Sequence, residues 1–227
     1  MRRKKEKHLP YFSVLEALQK ARTCPICDLE IEAVQRYLDS LLYESVNDGG
    51  VRADLLRSRG YCNRHAHVLL GLEQGLGIAI LFQDQVRLFL GFLPGIERMP
   101  PRSLRKKLSE PWGRREHCPA CRIQNDAQDR YLSVLVEALL DDEMRAAFDA
   151  SPGLCAPHFM GALRVVEDAD VRRCLIETER KKFEELLHDL EEFCRKHDYR
   201  FSREGFGKER DSWIRAVNMM TGRKDVV

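Results

Sequence analysis

The sequence has no stretch in which apolar and polar residues alternate convincingly, as they do along a half-buried β-strand. Aromatic residues make up only 8% of the chain, and tryptophan occurs twice. A Ser/His/Asp order, a phosphate-binding glycine loop and an H-E-x-x-H motif are also missing. These absences argue against a β-sheet protein and against common hydrolase, nucleotide-binding and metalloprotease classes. We therefore predict an all-α fold.

Signals for secretion and for membrane insertion are weak as well. Residues 1–5 are basic, but no apolar signal region follows them. The most apolar stretch, residues 76–93, is interrupted by polar and charged residues between 83 and 87, and a membrane span needs about 20 largely apolar residues. We interpret this stretch as a buried helix, and we expect a cytoplasmic protein with no membrane partner.

Cysteine and histidine, by contrast, occur in a repeated pattern. A C-x2-C pair is followed by a C-x2-H pair after 34 residues, and the same order returns with 33 residues between the pairs. A single such set arises easily by chance, whereas two sets in register do not. The predicted metal ligands are Cys24, Cys27, Cys62 and His65 in the first copy, and Cys118, Cys121, Cys155 and His158 in the second.

Three thiolates and one imidazole form a closed tetrahedral set for zinc. Pro25 and Pro119 occupy the second position of the two C-x2-C pairs, where proline suits the first turn of a helix. A helix N-terminus also favours thiolate over thiol. Four protein ligands leave no open position for water, which argues against hydrolysis at the metal. We predict two zinc ions per chain, one for each copy, each tying the start of one helix to the start of another.

Three other interpretations of the cysteines remain open. A redox dithiol normally lies in a βαβ context and would leave the C-x2-H pairs unexplained. An iron–sulfur cluster can be held by thiolates together with histidine. Disulfides are rare in proteins that stay in a reducing compartment. We favour structural zinc, with an iron–sulfur cluster as the alternative cofactor.

The metal-binding pattern is part of a wider internal repeat. Residues 35–38 match residues 129–132 at an offset of 94, whereas Gly60 and Gly153 match at an offset of 93. Duplication is the simplest explanation. The predicted segments are a basic flexible arm (1–10), a first helical zinc-binding repeat (11–93), a basic proline-containing linker (94–117), a second helical zinc-binding repeat (118–168), and a long C-terminal helix with a docking tail (169–227).

The C-terminal segment begins with a predicted helix over residues 169–198. It contains further candidate ligands, but side chains on one helix cannot easily converge on one ion, and a histidine close to a predicted ligand more often points away. A final helix has apolar residues at helical spacing and predicts a docking face for a protein partner or for self-association. The unassigned cysteines and histidines are Cys174, Cys194, His188, His197, His67 and His117, and the docking face is Trp213, Ile214, Val217 and Met220.

Positive charge is concentrated in two places, residues 2–7 and residues 94–117. Such clusters can contact nucleic acid phosphates. Both are short and poor in aromatic residues, and the Cys/His helices are not of the ββα finger type. We therefore favour a solvated arm and a charged connector, and keep a nucleic-acid-associated protein as an alternative.

The two CPxC and Cx2H motifs in a helical chain resemble those of an uncharacterised family of bacterial cytoplasmic proteins, known as a domain of unknown function. The segment 198–201, followed by Trp213, is also similar. The resemblance implies a helical fold and bound metal, and no established activity. Together these features predict an intracellular zinc-stabilised helical interaction or adaptor protein. The alternatives are a nucleic-acid-associated protein and an iron–sulfur or other redox protein.

Overall fold

The computed structural model describes residues 7–109, 118–201, 203–224 and 226. Within these residues the chain forms helices joined by turns, and no β-strand is found. The all-α prediction is confirmed for this part of the chain. The α-helices are α1 (Leu9–Lys20), α2 (Pro25–Ser40), α3 (Gly49–Arg57), α4 (Asn63–Leu70), α5 (Gly75–Phe92), α6 (Pro94–Glu97), α7 (Pro101–Leu108), α8 (Pro119–Ala138), α9 (Asp142–Ala150), α10 (Ala156–Val165), α11 (Ala169–Lys196) and α12 (Ser212–Thr221).

The two sequence copies form the same local structures. Asp48 caps α3 by accepting a hydrogen bond from a backbone N–H, and Asp141 caps α9 in the same way. Gly60 and Gly153, the turn residues before the C-x2-H pairs, have φ angles of 90° and 91°. Only glycine adopts this conformation without steric cost. Capping and turn geometry therefore confirm the internal duplication.

A π-helical turn, Leu41–Ser45, follows α2. It lies where the offset between the copies changes from 94 to 93. A π turn holds one more residue than an α turn. The first copy therefore absorbs its extra residue inside the helix, and the repeat resumes at Asp48.

The chain divides into two compact units, which we name the terminal unit (Met1–Ile31 with Ala127–Val227) and the central unit (Glu32–Asp126). The predicted repeats are continuous in sequence, whereas the terminal unit combines two separate stretches of the chain. Both boundaries fall inside helices, one in α2 and one in α8. Each copy therefore contributes residues to both units.

Each unit has its own apolar core. In the central unit, Val34, Leu38 and Leu41 recur at helical spacing along α2 and its π turn, and they are buried with Leu69 and Leu81. Burying a leucine side chain fully contributes about 1.5–3 kcal/mol. In the terminal unit the most deeply buried large apolar side chains are Leu18, Ile26, Leu135, Leu139, Met144, Phe148, Leu154 and Leu175.

Helix α5 differs from its prediction as a buried helix. Leu81 is buried, whereas Leu76 is 79% exposed and Leu90 is 57% exposed. The helix is apolar around most of its circumference, but only one side packs against the core. Within the described residues, the helical stretch Gly75–Glu97, which comprises α5 and α6, is long enough and apolar enough to cross a membrane. Only its length and composition indicate this.

The predicted linker is partly helical, since α6 and α7 occupy most of residues 94–108. Residues 110–117 of that linker, including His117, and residues 1–6 of the predicted arm lie outside the described residues. Helix α11 spans 28 residues, close to its predicted bounds, and Asp168 caps it. Helix α12 buries Met219 and leaves the predicted docking face largely exposed.

Candidate metal centres

The eight predicted ligands form two buried clusters. In each cluster the four ligand atoms lie within 4.8 Å of one another. We name the clusters site A (Cys24, Cys27, Cys155 and His158) and site B (Cys62, His65, Cys118 and Cys121). Site A consists of residues of the terminal unit, and site B of residues of the central unit.

This grouping corrects the expected one-site-per-copy arrangement. All eight residues are brought to a cluster, but the C-x2-C pair of each copy meets the C-x2-H pair of the other. The predicted combination of Cys24 and Cys27 with Cys62 and His65 is wrong, and so is its counterpart in the second copy.

The path of α2 explains the exchange. A helix rises about 1.5 Å per residue, so Leu38 lies about 16 Å beyond Cys27 along the axis. Cys62 is buried in the same apolar cluster as Leu38 and Leu41, at the far end of α2. The first C-x2-H pair therefore lies too far along α2 to share a metal ion with Cys24 and Cys27 at the start of the helix. Cys118 and Cys121 belong to that same cluster and complete site B.

Helix starts position the ligands. Pro25 and Pro119 begin α2 and α8, so the first cysteine of each C-x2-C pair precedes a helix and the second lies in its first turn. Cys62 and Cys155 stand at the N-caps of α4 and α10, with extended φ and ψ angles. The following histidine is then placed one turn into the helix. Each site thus lies at the N-termini of two helices, whose dipoles favour thiolates.

The distances fit the edges of a tetrahedron around one ion. Zinc with bonds of about 2.3 Å to sulfur and 2.0–2.1 Å to nitrogen separates two sulfurs by about 3.8 Å, and sulfur from nitrogen by about 3.6 Å. The Sγ atoms of Cys27 and Cys155 are 3.8 Å apart, and those of Cys62 and Cys121 are 3.7 Å apart. Distances from sulfur to histidine Nδ1 are 3.1–3.4 Å in site A and 3.3–3.5 Å in site B.

The cysteines of both sites are free thiols in the structure, and these separations are far longer than the disulfide S–S bond of about 2.05 Å. Burial raises the pKa of Cys118 to about 12, against the lowering effect of hydrogen bonds from the backbone of Cys62 and Cys121. Burial likewise raises the pKa of Cys24, whereas hydrogen bonds from Cys155 and Cys24 lower that of Cys27. A bound cation would displace the thiol protons and stabilise several thiolates at these short separations. The donor set and its burial therefore fit a bound metal ion.

The surroundings of the two histidines differ. Nδ1 of His158 faces the sulfurs of site A, and its Nε2–H donates to Glu30 Oε1 at 2.7 Å. A carboxylate in this place orients a metal-bound imidazole and raises its basicity. At the equivalent position, 94 residues on, site B has Gln124, which accepts a hydrogen bond from Arg64. The Arg64 guanidinium lies 3.4 Å from His65 Nε2.

Glu30 and Gln124 were missed by the sequence interpretation. Each stands three residues after the second cysteine of its C-x2-C pair, on the same side of the helix. Their residue types fit hydrogen bonding to an imidazole, so alignment of the two copies could have found them. Their difference in charge makes the two sites chemically unequal.

Among the residues that the structure describes, the other cysteines and histidines lie outside both clusters. Cys174 is buried and is contacted by the Arg145 guanidinium, and Cys194 is exposed. His67 and His188 are exposed, and His197 donates to the Phe193 carbonyl oxygen.

The fold and the clusters define an all-helical, internally duplicated protein with two candidate Cys3His metal sites. The chain belongs to the family of unknown function DUF6062, which matches residues 5–92 and 98–226. It is 28% identical over 205 residues to an uncharacterised 23.9 kDa protein in the xynA 3' region of Caldicellulosiruptor sp. (strain Rt8B.4), covering 89% of this chain and 97% of the relative. No solved structure matches this chain. The predicted family resemblance is confirmed.

Proposed function

We propose that sites A and B each hold one structural zinc ion, and that the protein is an intracellular interaction or adaptor protein. The observation that carries the proposal is the closure of both sites. All eight ligands are buried, and each site supplies four protein donors. A closed tetrahedral set leaves no coordination position for a substrate or water, so the metal serves the fold.

A single ion fits the sites better than an iron–sulfur cluster. A cluster of several irons places its ligand atoms around a larger inorganic core than one ion does. Sulfur separations of 3.7–3.8 Å correspond to one tetrahedral edge. The two copies use the same donors, so we propose the same metal in both.

The experiment is metal analysis with an absorption spectrum, on full-length protein purified without oxygen. We expect two zinc ions per chain and no visible absorption. Iron and acid-labile sulfide, with broad visible absorption from thiolate–iron charge transfer, would overturn structural zinc and favour a redox or sensing role.

The interaction role is supported by the outer face of α12. Trp213, Val217 and Met220 are exposed together, while Met219 on the opposite side is buried. Exposed apolar patches of this kind mark protein contact sites, and tryptophan is enriched among residues that dominate binding. The face extends over about two helical turns, from Trp213 to Met220, and suits a partner helix or loop.

A photo-crosslinking residue in place of Val217 tests this role in cells. We expect one defined adduct, with another protein or with a second copy of this chain, and no adduct from the same crosslinker in place of exposed Arg173 on α11. Equal, unspecific labelling from both positions would contradict a docking role for α12.

A further inference from the structure

Helix α5 of the central unit presents an apolar stripe to solvent. Its members recur at intervals of three and four, which places them within an arc of about 100° and along about 26 Å of helix. Five of the six are apolar, all are exposed, and Phe89 borders them. We name this surface the α5 stripe: Leu76, Ala79, Gln83, Val86, Leu90 and Leu93.

The opposite side of α5 is fixed to the protein. Leu81 and Gln85 are buried, and Leu81 belongs to the apolar core of the central unit. Asp84 accepts a hydrogen bond from Arg52 of α3 at 2.6 Å. The helix therefore cannot leave this core without exposing it. The stripe is suited to lie flat on a partner surface, with α5 still packed on its own unit.

Positive charge follows the stripe directly. Residues 94–109 contain five cations and one acid, a net charge of about +4. Lys107 Nζ lies 5.7 Å from the ring centroid of Phe92, so basic α7 lies beside the C-terminal end of α5. The remaining cations are Arg98, Arg102, Arg105 and Lys106, and all are exposed.

We propose that the α5 stripe and α7 dock on the surface of a lipid bilayer that contains anionic headgroups. An apolar helix face flanked by lysine and arginine lies in the interface between headgroups and acyl chains. The stripe supplies leucine, valine and, at its border, phenylalanine for the apolar layer, and α7 supplies cations for the phosphates. This mode of binding needs no transmembrane segment.

Two other occupants fit the surface less well. A symmetric dimer uses the same patch on both chains. The stripe has no charged member and residues 94–109 carry five cations and one acid, so a second copy of the patch offers little negative charge to α7. Nucleic acid phosphates would satisfy the cations, but they offer nothing to the apolar stripe. An anionic bilayer complements both parts.

The test is flotation of full-length, metal-loaded protein with vesicles of 70% phosphatidylcholine and 30% phosphatidylglycerol, and with vesicles of phosphatidylcholine alone. We expect binding to the anionic vesicles that weakens as salt increases. Val86→Glu with Leu90→Glu should abolish binding. Ile176→Glu with Leu187→Glu, at exposed positions on α11, is the matched control and should bind like the wild type.

A second pair of variants tests the cations. The first is a triple variant, Arg105→Glu, Lys106→Glu and Lys107→Glu, which should bind at least 100-fold more weakly. Each cation near an anionic surface raises the binding constant about fivefold. Arg172→Glu, Arg173→Glu and Arg180→Glu, on exposed parts of α11, should have little effect. Metal content and circular dichroism confirm that each variant is folded.

Three outcomes would overturn the proposal. The first is absence of binding to anionic vesicles, or unchanged binding by the Val86/Leu90 variant. The second is salt-dependent binding to DNA or RNA that this variant retains, which would assign α7 to nucleic acid. The third is a dimer that dissociates in the Val86/Leu90 variant while vesicles remain unbound, which would assign the stripe to a second copy.

Discussion

The sulfurs of Cys27 and Cys155 lie 3.8 Å apart although 128 positions separate the two residues in the chain. A metal ion bound there joins the start of α2 to the start of α10, and so joins the first sequence copy to the second. Site B makes the reciprocal link between α4 and α8. Neither copy contains a complete site of its own.

Loss of one thiolate is expected to destabilise one unit more than the other. Cys24→Ser removes a ligand of site A, so metal content should fall from two ions to one. The free energy of unfolding should fall by on the order of 3–5 kcal/mol, part of the roughly 10–16 kcal/mol that zinc contributes in small peptides. Hydrogen exchange should increase first in α10 of the terminal unit.

Cys118→Ser is the matched variant for site B, with faster exchange expected first in α4. Either variant retaining full stability with half of the metal lost would contradict a structural role for that ion.

The hydrogen bond from His158 to Glu30 predicts a measurable effect on metal affinity. Glu30→Gln gives site A the residue that site B has at the equivalent position. Outer-shell changes of this kind typically weaken metal binding 10- to 100-fold, so competition with a chelator should release metal from site A earlier than in the wild type. Glu32→Gln, an exposed change two residues further along α2, should leave release unchanged. Identical release from all three proteins would show that Glu30 does not support the site.

Glu179 predicts a pH dependence that is separate from the metal. Its side chain is fully buried, Oε1 accepts a hydrogen bond from the Leu154 N–H at 2.7 Å, and Oε2 lacks a hydrogen-bond partner. Burial raises its pKa to about 7. The folded protein therefore holds this proton more tightly than the unfolded chain. The resulting stabilisation is complete below about pH 4.5 and is lost as pH rises through about 7.

Unfolding in urea at a series of pH values checks this. The difference in stability between wild type and Glu179→Gln should change by about 3 kcal/mol between pH 4.5 and 7.5, because glutamine keeps the acceptor oxygen and does not titrate. Proton-linked metal binding is common to both proteins and cancels in the difference. Glu177→Gln on the exposed side of α11 is the control. Parallel curves for wild type and Glu179→Gln would refute the assignment.

Much of the candidate sites could be predicted from sequence because their signals are local. Ligand spacing, proline at helix starts and glycine before each C-x2-H pair each depend on a few neighbouring residues. They identify all eight candidate ligands and the duplication. The grouping of the ligands could not be predicted, because both copies carry identical donor pairs and either combination satisfies a tetrahedral ion. The length of α2 decides it.

The interpretation of α5 failed for a related reason. A helix that is apolar on most sides gives no sequence signal for the face that packs. Leu81 and Leu90 look equivalent in the sequence, yet one is buried and the other is exposed. Tertiary packing alone distinguishes them.

The exchange of ligands between copies is tested most directly by counting metal ions in two double variants. Cys24→Ser with Cys155→Ser removes two ligands of site A, and we expect one metal ion per chain to remain. Cys24→Ser with Cys62→Ser removes one ligand from each site, and we expect both metal ions to be lost. The reverse result, with metal retained by the second variant and lost from the first, would contradict the exchange and restore one site to each copy.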